Sequence, residues 1–303
     1  MKNTRMRFGI IVLAAALALV ACDNKASAQA GGASDSKEKA QASTSSGGVV
    51  SGGSTASGAV AKEAKETDFI YELNKKGDGV IITGLQKDAA GGALVIPGKI
   101  EGYPVVGIRV EPLKPEFFNI FNYYKNNQWL SDAEVKAKGL PAYFTSVVLP
   151  DSIMVIENKG GSSIFGGPKL NSITLPKNLK EIPIGFAKYV DTLTTIKWPE
   201  NLEIIGEAAF RGTGFTELVI PEGVKIIGNG AFSEMKKLTS ITLPNSIERI
   251  EAFAFLNCPE LSTVKMPSKA ITYKGDSQFG SCPRLTGIAV RKAIQDTGYK
   301  GKF

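Results

Sequence analysis

Apolar and polar positions recur about every 23 residues from Pro150 onward. Each unit ends in a short run of apolar and small polar residues before a proline, and successive prolines from Pro150 are 26, 23, 22, 23 and 23 residues apart. The runs are Ser172–Pro176, Thr195–Pro199, Glu217–Pro221, Ser240–Pro244 and Thr263–Pro267. A fixed period in this range is typical of a solenoid, in which each unit buries its apolar face only against its neighbours.

Within each unit the apolar residues hold fixed positions. Aliphatic residues lie three and six positions after each proline, namely Ile153 and Ile156, Leu179 and Ile182, Leu202 and Ile205, Val224 and Ile227, and Ile247 and Ile250. A phenylalanine then follows in each unit, namely Phe165, Phe186, Phe210, Phe232, Phe255 and Phe279. Three-residue steps followed by alternation predict a coil that turns continuously around a core, with each phenylalanine stacked on its equivalents.

Two rows of residues flank the central residue of each predicted strand. One row is Thr174, Lys197, Val219, Thr242 and Lys265, and the other is Ser172, Thr195, Glu217, Ser240 and Thr263. We expect one row to point inward and the other to face a ligand, and the period does not decide which. Lys197 and Lys265 are candidate ligand-binding residues on this surface.

The pattern resembles a known family most closely at Leu238-Thr-Ser-Ile241-Thr-Leu-Pro244 and its continuation to Cys258. It is similar to the BspA-like leucine-rich repeats of bacterial surface proteins over 145–290, and weakly over Leu94–Ile108, which resembles that family's first, capping unit. The resemblance implies a leucine-rich-repeat solenoid, β-rich, with a curved parallel sheet on its concave side. It also implies functions in adhesion or protein binding.

Cys258 and Cys282 occupy the cysteine position of this family in adjacent repeats. Equivalent residues of stacked strands lie about 4.8 Å apart, which is within reach of a disulfide. The favoured alternative is that both are free thiols that fill the core, since free cysteine is among the most buried residue types.

The first 66 residues are predicted to lie outside the fold. A basic start, an apolar run and Leu19-Val20-Ala21-Cys22 resemble a lipoprotein signal peptide, so 1–21 is interpreted as the signal peptide and Cys22 as the lipidation site. The alternative is ordinary secretory cleavage near Ala21. Residues 22–66, rich in Ser, Gly and Ala, are predicted to be a disordered tether because they carry too little apolar surface to fold.

The remaining chain, 67–303, is the predicted repeat domain. It divides into a cap unit (67–108), an insertion (109–144), regular repeats (145–290) and a C-terminal tail (291–303). The tail is expected to cover a last strand near Ile288–Val290, because an open strand edge invites pairing.

The insertion interrupts the period and is rich in aromatic residues. They are Phe117, Phe118, Phe121, Tyr123, Tyr124, Trp129, Tyr143 and Phe144. Insertions in solenoids often lie on the binding face, which makes Tyr123, Tyr124 and Trp129 candidate ligand-binding residues. The alternative is that these aromatics fold inward and cap the solenoid. Ser131–Gly139 has the start and stop signals of a short helix.

Composition argues against catalysis. The 303 residues include no histidine, which removes the commonest general base and metal ligand. No phosphate-binding loop or zinc-spaced cysteine pair occurs, so no catalytic residue, cofactor or metal is predicted. The net charge of +7 is dispersed, without a nucleic-acid-binding motif.

The sequence therefore predicts a lipid-anchored protein of the bacterial envelope that binds another protein, with adhesion to host components as one form of this function. The outer membrane or cell surface is favoured over the inner membrane, although Asp23 is an inner-membrane retention signal in some bacteria. The alternatives are a periplasm-facing structural or scaffold lipoprotein and a carbohydrate-binding surface protein. The identity of the ligand and the oligomeric state do not follow from the sequence.

Overall fold

Each repeat forms one coil, which begins with a short strand and turns at the proline. The structure, a computed structural model, describes residues 64–85, 92–110, 124–125, 128–129, 131–137, 143–160 and 163–303. All of them belong to the unit Thr55–Phe303. The predicted signal peptide, Cys22 and the predicted tether up to residue 63 lie outside the described residues.

The regular elements of this described part are strands, two α-helices and one 3-10 helix. In chain order the strands are β1 (Phe69–Leu73), β2 (Val80–Leu85), β3 (Gly92–Val95), β4 (Lys99–Ile100), β5 (Tyr103–Val110), β6 (Tyr124–Lys125), β7 (Gln128–Trp129), β8 (Phe144–Val148), β9 (Val155–Asn158), β10 (Ser172–Thr174), β11 (Glu181–Ile182), β12 (Thr195–Lys197), β13 (Ile204–Ile205), β14 (Glu217–Val219), β15 (Ile226–Ile227), β16 (Ser240–Thr242), β17 (Arg249–Ile250), β18 (Thr263–Lys265) and β19 (Thr272–Tyr273). The helices are the 3-10 turn Glu66–Asp68, α1 (Asp132–Ala137) and α2 (Ile288–Asp296).

Seven parallel strands, which we call the front sheet, begin the seven coils. They form two blocks, β3, β8, β10 and β12 in one and β14, β16 and β18 in the other. Equivalent residues pair from coil to coil, so that Ile173 lies opposite Ile196 and Ile241 opposite Val264. We number the coils 1 to 7 by these strands, from β3 to β18. The predicted solenoid built on a parallel sheet is thereby confirmed.

A second sheet of parallel strands lies six positions after the prolines. It pairs β11, β13, β15, β17 and β19 in that order. The apolar residue of each two-residue strand points into the core, and Ile182, Ile205, Ile227 and Ile250 are fully buried. The sequence predicts only three-residue steps here, because a strand of two residues is too short to show alternation.

Six phenylalanines form a continuous column through the core. Phe165, Phe186, Phe210, Phe232, Phe255 and Phe279 are all fully buried. Neighbouring ring centroids lie 5.0 to 5.7 Å apart, and from Phe210 onward the rings are within 13° of parallel. The predicted stacking of equivalent phenylalanines is confirmed.

The N-terminal end of the stack is covered by β1, β2 and β5. β1 and β2 form an antiparallel hairpin, β2 pairs with β5, and β5 pairs with β9. The guanidinium of Arg109 ties these strands together by pairing with Glu72 of β1 and with Glu157 of β9. Its Nε lies 2.8 Å from the Glu157 carboxylate, and this hydrogen bond raises the pKa of Arg109.

The C-terminal end is covered by a helix where the sequence predicted a strand. Ile288–Val290 is the first turn of α2, so that prediction is wrong. A strand there could pair with β18 but would leave its outer edge open, since no further coil follows, whereas a helix satisfies its backbone groups internally. Beyond α2, Tyr299 packs edge-on against Phe279 with ring centroids 5.5 Å apart and closes the phenylalanine column. Residues of the predicted tail therefore do cover the last coil.

Candidate functional site

The outward face of the front sheet carries the residues that flank each central residue. Central residues such as Ile173 and Ile241 are buried, whereas both neighbours on each strand are exposed or half-buried. The prediction that one flanking row points inward is wrong, because residues i and i+2 of a strand share a face. The outward residues are Ser172, Thr174, Thr195, Lys197, Glu217, Val219, Ser240, Thr242, Thr263 and Lys265.

Lys197 and Lys265 occupy the same position in coils 4 and 7, two residues before the proline. Both are exposed, and neither ammonium makes an ion pair with any residue that the structure describes. At about 4.8 Å per coil they are roughly 14 Å apart. In coil 5, the coil after that of Lys197, this position is filled by Val219, which is 64% exposed.

The front sheet is interrupted between coils 4 and 5, where β12 and β14 do not pair. The proline spacing at this point, from Pro199 to Pro221, is 22 residues, one fewer than in the next repeat. Gly214 lies in the shortened turn, where a side-chain carbon would lie 2.0 Å from the carbonyl oxygen of Asp191. Beside the interruption Ile196 is only half-buried, unlike the central residues of the other front strands.

A groove of about 290 Å³ lies on coils 2 to 4 next to this interruption. Trp198 forms part of its wall at a position that the other coils fill with Ile, Leu or Met. The indole packs edge-on against Phe210, with ring centroids 5.5 Å apart, and stays half-exposed. The lining residues are Val148, Leu149, Pro150, Asp151, Thr174, Leu175, Lys177, Lys197, Trp198 and Glu200.

One backbone hydrogen bond between coils 3 and 4 is missing beside the groove. In coils 1, 2, 5 and 6 the residue before the proline donates its backbone N–H to the next coil, as Leu149 does to Thr174 and Leu243 does to Lys265, both at 3.0 Å. Within the described chain Leu175 makes no such bond to coil 4. Trp198 in coil 4 makes no such bond to a described residue of coil 5 either, although β10 and β12 pair over all three of their residues.

The charges along the groove are unequally satisfied. Lys177 donates its backbone N–H to Asp151 at 3.0 Å and places its ammonium 3.5 Å from the same carboxylate. These contacts, the backbone bond first, hold the pKa of Asp151 below its usual value. Neither the Lys197 ammonium, the Trp198 indole N–H nor the Glu200 carboxylate bonds to another described residue. The groove therefore presents two unpaired donors beside an apolar wall.

A row of charged residues lies just before the strands of the second sheet, and three of its four members pair with one another. Lys180, Glu203, Lys225 and Glu248 occupy one position in coils 3 to 6 and alternate in sign. The Lys225 ammonium lies 2.7 Å from the Glu203 carboxylate, and that of Lys180 lies 4.0 Å from it. The hydrogen bond from Lys225 lowers the pKa of Glu203. Such exposed pairs add little energy singly, but their alternation favours contact between neighbouring coils.

Part of the aromatic insertion is described. Tyr123 lies outside the described residues, whereas Tyr124 and Trp129 lie opposite each other in the antiparallel pair of β6 and β7. Tyr143 and Phe144, at the end of the insertion, are buried as its inward-folding interpretation requires.

The predicted short helix of the insertion is α1. Ser131 accepts the N–H of Glu134 at 3.3 Å through its hydroxyl, and its own N–H donates to the Glu134 carboxylate at 2.7 Å. This reciprocal capping begins the helix, and Val135 on its inner side is buried.

Cys258 and Cys282 are free thiols buried in the core. The sulfur of Cys258 lies 3.3 Å from the carbonyl oxygen of Phe232, and that of Cys282 lies 3.3 Å from that of Phe255. The contact with Cys282 and burial both raise the pKa of Cys258. Since the thiolate is the reactive form, a protonated buried thiol has a packing role here.

The described residues also lack two other kinds of feature. Within the ranges that the structure describes, no three Cys, Asp or Glu side chains come together as metal ligands. In that same part of the chain no helix has the length and apolar character needed to cross a membrane.

Sequence reasoning missed Trp198 and the interruption of the front sheet. Both have a signal in the sequence: a tryptophan at a position otherwise filled by Ile, Leu or Met, and one spacing of 22 residues where the others are 23 or 26. Neither signal says how the neighbouring coils respond.

Comparison with known proteins agrees with this fold. The family described as BspA type leucine rich repeat region matches residues 142–213 and 203–300, in six copies. The two ranges together span more than half of the chain. None of the curated proteins matches the sequence.

Two solved structures are similar to this chain. A leucine rich repeat protein of T. pallidum is 28% identical with a TM-score of 0.60, and the match covers 80% of this chain and 99% of that one. A leucine rich cell surface protein from Faecalibacterium prausnitzii is 22% identical with a TM-score of 0.51, over 76% of this chain and 55% of that one.

Proposed function

This chain belongs to the BspA-type leucine-rich repeat family, and on that premise we propose that it binds another protein through the outward face of the front sheet. The observation that carries the proposal is that this face is not needed for stacking. The central strand residues and the phenylalanine column hold the coils together, while the flanking side chains remain exposed. The charged row beside the second sheet, in contrast, is paired at Lys180, Glu203 and Lys225.

The size of the face indicates which residues take part. Seven strands at about 4.8 Å spacing give a length of roughly 29 Å, and three residues give a width of about 10 Å. The resulting area, roughly 300 Å², is smaller than the ~800 Å² that each partner buries in a stable complex. We therefore include the turns beside the front sheet, among them the groove with Lys177, Lys197 and Glu200, in the binding surface.

The proposal is tested by placing a photocrosslinking amino acid in the full-length protein, in its own cells. Thr242 on the front sheet and Glu248, directly before β17 of the second sheet, are matched sites because both lie in coil 6. We expect an adduct with a second protein from position 242 and none from position 248. Equal yields from the two sites, or none from either, would refute binding through the front sheet.

We also propose that Cys22 is acylated and that the segment from it to residue 63 tethers the repeat domain to an envelope membrane, because Ala64 already bonds to Val95 of the fold. The support is the lipoprotein-like segment that ends at Cys22 and the family's cell-surface members, such as the F. prausnitzii protein. Replacing Cys22→Ser should move the protein from the membrane fraction to the soluble fraction and abolish labelling by a fatty acid. Unchanged fractionation would favour ordinary cleavage near Ala21.

Exposure at the cell surface, which adhesion requires, is a separate step. Protease treatment of intact cells should remove the repeat domain together with a known surface marker. Survival of the domain while the marker is cleaved would favour the periplasm-facing scaffold instead.

A further inference from the structure

We propose that the groove on coils 2 to 4 is a pocket for a single acidic side chain of the partner protein. The inference rests on the proposed function and names the chemistry that the binding face recognises. Its first basis is the pair of free donors, the Lys197 ammonium and the Trp198 indole N–H, neither of which bonds to another described residue. A carboxylate is an acceptor-only group that takes several donors at once, so it complements this pair.

The second basis is the shape and the lining of the groove. Its volume of about 290 Å³ is at the lower limit of small-molecule pockets, which hold roughly 300–1,000 Å³, so it suits one or two side chains. Leu149, Pro150 and the indole of Trp198 supply an apolar wall for the methylene groups of such a side chain. The exposed Val219, next to Lys197 on the front sheet, extends this apolar surface toward the partner.

The third basis is the arrangement of charge. Lys177 forms an ion pair with Asp151. Lys197 also attracts Asp151 electrostatically, but it makes no ion pair with the described residues that line the groove. Glu200, at the turn end, has no partner there and repels a second negative charge. The groove therefore favours an isolated carboxylate on a protein over a polyanion such as a sulfated glycan.

Trp198 makes the pocket specific to this part of the solenoid. Lys265 in coil 7 has the same position as Lys197 and is equally exposed, but there the preceding coil bonds normally, with the Leu243 N–H 3.0 Å from the carbonyl oxygen of Lys265. Residue 266 is a methionine where coil 4 has its tryptophan. Lys265 is therefore a matched control that has the charge without the tryptophan beside it and without the missing backbone bond.

The test measures binding of the full-length protein to an array of short peptides in matched triplets, with Glu, Gln or Lys at the centre of otherwise identical flanks. Sulfated oligosaccharides are included on the same array. We expect binding that depends on the central Glu, and that falls about tenfold with Lys197→Gln, the effect of losing one charge-assisted hydrogen bond, but not with Lys265→Gln. Trp198→Leu, which gives coil 4 the residue of its neighbours, should abolish this binding while thermal unfolding shows that the variant is folded.

Three outcomes would overturn the inference: no preference for Glu over Gln in any triplet, equal losses with Lys197→Gln and Lys265→Gln, or Lys197-dependent binding of the sulfated oligosaccharides alone. The crosslinking from position 242 distinguishes a failure of this pocket inference from a failure of the proposed function. A partner captured equally by wild type and Lys197→Gln means that the front sheet binds a protein without this pocket.

Discussion

Phe232→Ala tests whether the phenylalanine column supports the solenoid. Phe232 is fully buried in the middle of the column, between Phe210 and Phe255. Both neighbouring ring centroids lie 5.7 Å away, and the ring planes differ by 8° and 4°. Truncation removes the ring from both contacts at once, and the cavity lies between coils whose backbones are held by hydrogen bonds.

The expected cost follows from these contacts. Removal of a buried phenylalanine ring destabilises a protein by about 3–5 kcal/mol, and each aromatic pair contributes about 0.5–1.5 kcal/mol of specific interaction. The two stacked contacts place Phe232→Ala in the upper part of that range, at about 4–5 kcal/mol. For a folded unit of this size a loss of 1 kcal/mol lowers Tm by about 2–4 °C, so we expect a decrease of roughly 8–20 °C.

The assay is urea unfolding followed by circular dichroism and by tryptophan fluorescence, because coincident transitions would justify a single free energy of unfolding. Phe253→Ala is the control: the same substitution two residues before Phe255, at a side chain that is 41% exposed. It should change stability by no more than about 0.5 kcal/mol. If the two variants lose the same stability, the column is not what holds the coils together.

Three further predictions concern other parts of the solenoid. Glu203→Lys should lower the urea midpoint at low salt, because it places a second positive charge next to Lys225. In the wild type the pKa of Glu203 is lowered in the folded state. The stabilisation by Glu203 is therefore present at neutral pH and is lost as the pH falls through the pKa of the folded state. Gly214→Ala should cost about 1–3 kcal/mol or more in urea unfolding, because its new carbon would lie 2.0 Å from the Asp191 carbonyl oxygen. Cys258 should resist a thiol reagent in the folded protein and react once urea unfolds it, because it is buried with a raised pKa.

Each of these predictions has a control. A double variant that combines Glu203→Lys with Lys225→Glu should recover part of the lost urea midpoint. A midpoint as low as that of Glu203→Lys alone would contradict the role of alternating charge. Gly98→Ala is the control for Gly214→Ala, since a side-chain carbon at Gly98 meets no atom within 4 Å. Labelling of Cys258 under native conditions at the rate seen in urea would contradict its burial.

The core of the coils could be predicted from the sequence because every coil repeats it. Phe232, Leu238 and Ile247 each have equivalents in neighbouring repeats, and all three are fully buried. A residue that recurs at a fixed period in a stack touches its own equivalents, so periodicity alone indicates burial. The short helix α1 was predictable for a different, local reason, since its capping residues Ser131 and Glu134 lie within one turn of each other.

The candidate site was less predictable. Lys197 was singled out by its row, but so was Lys265, and the sequence made them equivalent. The structure distinguishes them through Trp198, which lines the groove together with Lys197, and through the unpaired edge beside coil 4. Tyr123, Tyr124 and Trp129 are candidates because they lie where the period is interrupted, and their role stays a prediction.

The sequence by itself determined that this chain coils, how long each coil is and which side chains fill it, because these properties depend on interactions that every repeat makes in the same way. Only the tertiary structure decided that two-residue strands form a second sheet, that the end at Ile288 is helical and that a groove opens at Trp198. Each of these depends on the neighbouring part of the stack: a partner strand for two residues, an end that no further coil covers, or an indole where the other coils have an aliphatic or methionine side chain. Such responses follow from contacts between coils that lie more than twenty residues apart in the chain, and a period reports only what those coils have in common.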